Sequence, residues 1–137
     1  CIKTTGTSAF MEATALPLQL YRSHFGVIPL AVTGSNANMN VSAAYTSDKD
    51  SLTVAFVSAL ATESYMNFSI IGAEPLVGFN KWTIANSNPE AYNKPGNESE
   101  IVINEEKSDT KIDSILVPPY SIVMVKFPIK SIPVKVE

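Results

Sequence analysis

The chain has 137 residues, of which 45% are hydrophobic and 17% charged, so its composition is that of a globular domain and excludes intrinsic disorder. Its formal net charge is -3, and no run of Lys and Arg supplies the basic surface that nucleic acid requires, so we predict no nucleic-acid partner. No apolar run approaches the ~20 residues of a membrane helix, so we predict no membrane partner.

Cysteine and asparagine usage bears on the compartment of the protein. Cys1 is the only cysteine, which excludes a disulfide within the chain. Because the chain begins with cysteine and not methionine, we expect a processed chain or a fragment. Three Asn-X-Ser sequons, at Asn40, Asn67 and Asn97, permit secretion, and we predict a secreted or extracellular location.

One helix is predicted, following an extended lead-in at residues 1–9. Thr14 is its candidate N-cap, and Pro17 falls in the first turn, where the missing N–H costs no hydrogen bond. Gly26 follows as a C′ residue. The apolar positions at helical spacing, which predict the buried face, are Leu18, Tyr21 and Phe25.

Beyond Gly26, apolar and polar residues alternate in short runs, which predicts β-strands. Pro29 places the first strand at a sheet edge. Residues 41–60 predict a β-hairpin, because two alternating runs flank a polar turn. The predicted strands lie within residues 27–32, 41–46, 52–56, 65–70, 82–84, 101–103, 112–117, 120–127 and 132–136.

The connections between the later strands are distinctive. Residues 86–98 contain four Asn, two Pro and Gly96, which predicts a long irregular loop. Residues 104–109 predict a turn, and the proline pair at 118–119 predicts a rigid extended corner. The following run, 120–127, is apolar on both faces, so we predict a central strand there.

These elements predict an all-β fold: an antiparallel, jelly-roll-like β-sandwich of about nine strands preceded by one short helix. The absence of βαβ alternation argues against a parallel sheet. We divide the chain into a lead-in and helix at residues 1–26 and a sandwich domain at residues 27–137.

Few residue patterns suggest catalysis, and we predict no catalytic residue and no cofactor. His24 is the only histidine, and a lone histidine beside aromatic residues more often makes a packing hydrogen bond than acts as a base. Without a second histidine or a nucleophile motif, neither a triad nor a histidine metal site is predicted.

Carboxylate pairs are the groups that glycoside hydrolysis would need. Every pair lies in or beside a polar turn, where carboxylates are solvated, so turn formation is the favoured interpretation. Two aspartates at 48 and 50 could hold calcium with turn carbonyls, but that signal is weak and we predict no metal. The pairs are Asp48 with Asp50, Glu98 with Glu100, Glu105 with Glu106, and Asp109 with Asp113.

Sugar binding by stacking requires exposed planar side chains. Tyr92 lies in the long loop and is the best exposed candidate, whereas Trp82 alternates with Ile84 and favours a core position. The candidate carbohydrate-binding residues are therefore Tyr92, Trp82 and the neighbouring Asn93.

Four motifs, in this order and spacing, resemble α-L-arabinofuranosidases of glycoside hydrolase family 51. L-Y-R-S-H-F-G-V-I-P-L-A-V at residues 20–32 is similar to their last barrel helix and first sandwich strand. A-A-Y-T-S-D-K-D-S-L-T-V-A-F-V at residues 43–57 is similar to their next hairpin. N-P-E-A-Y-N-K-P at 88–95 and V-P-P-Y-S-I-V-M-V at 117–125 resemble a loop and the closing strand.

The resemblance implies that both catalytic glutamates lie on a (β/α)8 barrel upstream, with residues 1–26 forming the end of that barrel domain. It implies that the sandwich packs on the barrel as its partner, and that strands from the extreme N-terminus of the enzyme complete it. No residue of this chain matches a catalytic motif.

Three functions are consistent with these patterns. The first is a non-catalytic accessory domain that packs on and stabilises the barrel of a polysaccharide-degrading enzyme. The second is a carbohydrate-binding module that recognises plant cell-wall polysaccharide. The third is a structural or adhesion sandwich with protein partners, for which an apolar surface patch would be expected.

Overall fold

The computed structural model describes residues 2–34 and 37–132. Within these residues the chain forms one helix and eleven strands. The helix α1 spans Ala15–His24. The strands are β1 Ile2–Thr4, β2 Ala9–Met11, β3 Ile28–Leu30, β4 Met39–Tyr45, β5 Ser51–Ser58, β6 Ser64–Asn67, β7 Ala73–Pro75, β8 Val77–Ile84, β9 Asn104–Lys111, β10 Ser114–Val117 and β11 Ile122–Ser131.

The strands form one large sheet and two small ones, and every pairing is antiparallel. The main sheet has the order β3-β4-β5-β11-β8-β9, and β7 pairs with the last residues of β11. A second sheet consists of β6 and β10, and a third of β1 and β2. The prediction of an all-β antiparallel sandwich with one short helix is confirmed.

The middle strands of the main sheet are covered on both faces, each face by a different partner. On one face, β6 and β10 close a first hydrophobic core, with Phe56, Phe127, Val117 and Val125 at its centre. On the other face, α1 closes a second core. This core consists of Leu16, Leu20, Ala55, Trp82, Ile84, Ile101 and Met124.

Strand β11 is the centre of the main sheet, as predicted from its two apolar faces. It pairs with β5 on one side and with β8 on the other. Val123 and Val125 point into the first core, Met124 points into the second, and all three are 0% exposed. A strand that is apolar on both faces is stable only where both faces are covered.

Helix α1 begins and ends where the sequence predicts, but two details differ. Leu18 is 65% exposed, so the predicted face is wrong there, and Leu16 and Leu20 are the buried leucines. Thr14 is the N-cap by position, yet its side chain makes no capping hydrogen bond. Proline at position 17 restricts the backbone of the first helical turn. The contacts of the two buried leucines with the sheet determine which face of the helix is buried.

The prediction is wrong around β9. Residues 104–109, expected to form a turn, belong to this strand, whereas 101–103 form no strand. The cause is its edge position: nearly all of β9 is exposed, so it shows no apolar alternation. Charged residues on an exposed edge discourage pairing with other chains. Lys81 on β8 also forms an ion pair with Glu106 across the two strands, at 3.7 Å.

The chain ends differ in part from the predictions. The predicted extended lead-in pairs with the residues that follow it, as the β1-β2 hairpin. Cys1 lies outside the described residues, as do residues 133–136 of the predicted last strand. The predicted edge position of β3 and the hairpin of β4 with β5 are confirmed.

Candidate functional site

Trp82, one of the three candidate sugar-binding residues, is buried beneath α1. Only 3% of it is exposed, and its indole stacks on the ring of His24, with centroids 4.1 Å apart and planes 20° from parallel. Among the described residues, its Nε1 has no hydrogen-bond partner. Trp82 therefore has the core position that its alternation favours. His24 packs on it through a ring contact, which is not the hydrogen bond that the sequence favoured.

Asn93 is buried too, and it joins the long loop to the N-terminal hairpin. Its Nδ2 donates to the carbonyl oxygens of Met11, at 3.0 Å, and Ile101, at 3.1 Å. Its Oδ1 accepts the backbone N–H of Ile101 at 2.7 Å. The Asn93 side chain thus joins the two ends of the segment 93–101 and connects that segment to β2. Because buried amide groups that lose such partners are costly, Asn93 fixes the shape of the loop.

Tyr92 lies on the surface, as predicted, with 62% of it exposed. The ammonium group of Lys94 lies 5.6 Å from its ring centroid, which is within the range of a cation–π contact. Tyr92 and Asn93 are adjacent in sequence and Trp82 lies ten residues before Tyr92, yet only Tyr92 has a ring that a ligand could contact. They do not form one exposed site.

Of the carboxylates predicted to lie in turns, Asp48 has the turn role that its position favours, whereas Glu105, Glu106 and Asp109 lie in strand β9. The Thr46 hydroxyl donates to Asp48 at 2.6 Å, and this bond, with a second from the N–H of Asp50, holds the pKa of Asp48 below its usual value. Lys3 lies 2.8 Å from Glu12 and lowers the pKa of that carboxyl. Residues 2–34 and 37–132 contain no group of three metal-ligating side chains.

A shallow depression beside the N-terminal half of α1 is built from segments far apart in sequence. We name it the apolar hollow; its volume is about 460 Å³. It is lined by Ala13, Thr14, Pro17, Val57, Ser58, Ala59, Ile84, Ala85, Asn86, Asn88, Pro89, Ala91, Ile101, Tyr120, Ser121 and Ile122. None of these residues is charged. No local pattern could have predicted the hollow, because five separate segments of the chain meet there.

The polar side chains of the hollow are largely engaged in bonds within the chain. Asn86 and Asn88 each accept a backbone N–H two residues later, at 2.8 and 3.0 Å. Ser121 donates its hydroxyl to the carbonyl of Pro118 at 2.6 Å. Ser58 accepts the N–H of Leu60 at 3.2 Å. The surface that remains for a partner is mainly apolar.

Tyr120, at the rim of the hollow, has a backbone φ of 47°, in the left-handed region. A bulky residue in this region is strained, and such strain often marks a functional position. Its N–H donates to Leu60 at 3.0 Å, and Ser58 donates its N–H to the carbonyl of Ser121 at 2.9 Å. These bonds hold the ring, which is 42% exposed, at the hollow.

A second depression, which we name the open groove, lies on the other face of the main sheet. Its volume is about 420 Å³, and it runs between β6 and the β3-β4 edge. Its apolar floor includes Leu30, Val41, Tyr45, Met66 and Phe68. Two strands face a sheet of seven strands, so this part of the first core is only partly covered.

Sequence comparison and structure comparison give different results. No protein-family model matches the chain, and no curated protein matches it. A solved arabinofuranosidase matches 92% of this chain with a TM-score of 0.75 and 14% identity, over 31% of its own length. The GH51 arabinofuranosidase from Xanthomonas axonopodis pv. citri matches 92% of the chain with a TM-score of 0.71 and 16% identity, over 28% of its own length.

The chain has the fold of one part of these arabinofuranosidases. It spans less than a third of their length. A xyloglucanase of glycoside hydrolase family 44 from Paenibacillus polymyxa matches 76% of the chain with a TM-score of 0.57 and 18% identity, over 19% of its own length. The family resemblance of the four motifs is thus confirmed at the level of fold. At such identities the match extends to fold alone.

Proposed function

We propose that this chain is a non-catalytic accessory domain of an α-L-arabinofuranosidase-like glycoside hydrolase, and that it packs on and stabilises the catalytic barrel of the same polypeptide. The observation that carries the proposal is the structural match to 92% of this chain but 31% or less of the two arabinofuranosidases. The pKa values of Glu12 and Asp48 are both lowered, so neither of these two carboxyls is suited to act as a general acid.

The open groove supports the same proposal. An extended segment laid along the free edge of β6 would cover Met66 and Phe68 and pair with the backbone of that edge. The family resemblance implies that strands from the extreme N-terminus of the enzyme complete the sandwich, and we propose the groove as the position of one such strand. In this proposal the accessory domain is completed by the polypeptide that it stabilises.

The test uses the full-length gene product and a version that lacks residues 27–137. We expect the full-length protein to hydrolyse an aryl α-L-arabinofuranoside, and the shortened one to lose activity at a lower temperature. The 137-residue chain alone should be inactive. Hydrolysis by the chain alone, or a full-length protein without glycosidase activity, would contradict the proposal.

A carbohydrate-binding module is the second candidate, and the exposure of Tyr92 favours it. In this proposal the free face of the Tyr92 ring stacks on a sugar of plant cell-wall polysaccharide. Affinity electrophoresis in gels that contain arabinan, arabinoxylan or xyloglucan tests it: the chain should be retarded, and Tyr92→Ala should remove the retardation. Tyr65→Ala is the matched control, because Tyr65 is 68% exposed and lies outside the loop. Equal migration in every gel would exclude this candidate.

A further inference from the structure

The apolar hollow has the character of the centre of a protein interface. Charged residues make up 17% of the chain, yet the lining contains none. Depletion of charge with retention of aromatic and aliphatic side chains distinguishes the core of an interface from the rest of a surface. Tyr120, 42% exposed, and Val57, 37% exposed, are the large apolar side chains that it presents to solvent.

The chemistry of the lining favours a protein over a sugar. Sugar hydroxyls need free donors and acceptors, but the oxygens of Asn86 and Asn88 already accept backbone N–H groups of the loop. The hydroxyl of Ser121 donates a hydrogen bond to the carbonyl oxygen of Pro118. An occupant would therefore meet mainly carbon, which suits apolar side chains of a folded partner.

The position of the hollow indicates which protein covers it. Its wall includes Ala13, Thr14 and Pro17, which lead into α1, and Asn93 ties the long loop to β2 of the same segment. More than two thirds of each matched arabinofuranosidase lies outside the matched region. Any domain joined to this chain through its N-terminal segment is held beside the hollow, at high effective concentration.

We infer that the apolar hollow is the docking site for the upstream domain of the same polypeptide, with Tyr120 and Val57 as buried contacts. The inference rests on the proposed function, which supplies that domain. The strained backbone of Tyr120 then has a role, because it holds the ring where the partner surface closes over it.

Hydroxyl-radical footprinting of the full-length gene product tests the inference directly. Tyr65, 68% exposed on β6, is the internal reference for Tyr120. If the hollow is covered, Tyr120 is labelled at less than about a tenth of the rate of Tyr65, because interface cores exclude water. If it is open, the two rates follow the two exposures, and Tyr120 reacts at more than half the rate of Tyr65.

A charge placed in the hollow gives an independent measurement. Val57→Lys should lower the temperature at which the full-length protein loses activity, since a docked domain would bury the ammonium group. Leu76→Lys is the matched control, because Leu76 is 41% exposed and lies outside the hollow, and it should change little.

The outcomes separate the two proposals. Protection of Tyr120 in an active glycosidase supports the docking site, and a freely labelled Tyr120 in an active glycosidase overturns the docking site alone. A full-length protein without glycosidase activity overturns the proposed function and, with it, this inference.

Discussion

Gly26 lies so close to Tyr45 that a Cβ atom at residue 26 would clash with the carbonyl oxygen of Tyr45. Gly26 thus lets the chain that leaves α1 pass directly against the end of β4. The approach is fixed by two hydrogen bonds: the N–H of Gly26 donates to Thr53 Oγ1 at 2.9 Å, and the N–H of Val27 donates to Tyr45 at 2.9 Å.

Gly26→Ala should therefore destabilise the protein by about 1–3 kcal/mol, the usual cost of forcing an extra methyl group into a packed site. The contact is with backbone atoms, which cannot rotate away. Urea unfolding measures the change. Gly6→Ala is the control, because a Cβ there meets nothing within 4 Å. Equal stability of the two variants would show that the chain relaxes freely at residue 26.

Asn93→Ala should release the loop of residues 86–101. The substitution removes three hydrogen bonds and leaves the buried N–H of Ile101 without its partner, at a cost of about 1–3 kcal/mol. Hydrogen exchange of the Ile101 amide, followed by mass spectrometry, measures the release. Asn97→Ala is the control, since Asn97 is exposed and bonds only within the loop. Unchanged protection of Ile101 would mean that other contacts hold the loop.

Asp48 should titrate at a lower pH than an unperturbed aspartate. The hydrogen bond from Thr46 is the largest cause of its lowered pKa, and the N–H of Asp50 adds to it. Because the folded-state pKa is lowered from 3.8, the associated stability is present above that pH and is lost as the pH falls through the folded value.

Carboxyl-carbon NMR titration of the protein and of Thr46→Val tests this assignment. The pKa of Asp48 should rise in the variant, because its main donor is gone. An unchanged Asp48 titration in Thr46→Val would show that the Asp50 N–H alone accounts for the shift.

The charges of β9 should keep this edge strand from pairing with other molecules. Glu105→Val combined with Lys107→Val leaves the net charge at -3 but makes one face of the edge apolar. We expect this variant to self-associate, as measured by light scattering at increasing concentration. Glu90→Val combined with Lys94→Val, in the long loop, is the control with the same net charge. A monomeric β9 variant would show that charge on this edge is not needed.

How much of the fold can be predicted from the sequence depends on whether each strand has one side buried or lies exposed at an edge. The hairpin of β4 with β5 could be predicted because one side of each strand is buried and alternation follows. Strand β9 could not be predicted in this way, because a strand at an exposed edge does not need the apolar residues that produce alternation. Gly26 was placed at the end of α1 correctly, but close packing against Tyr45 explains it, and its φ is not left-handed.

The candidate site was harder to predict than the fold. Tyr92 could be predicted as exposed from its polar loop, and Trp82 as buried from its alternation with Ile84. The apolar hollow brings together residues near 14, 57, 88 and 120, and only the tertiary pairing of β5, β8 and β11 makes them neighbours. Local patterns carry no information on such a juxtaposition.

The central place of β11 has a consequence for how the chain is synthesised and folded. Before residues 122–131 leave the ribosome, β3-β4-β5 and β8-β9 have no strand between them and remain two separate halves. Met124 pairs with Ala55, almost seventy residues earlier, so closing the sheet requires a long-range search. We expect the nascent chain to expose both halves to chaperones until the strand that joins them arrives.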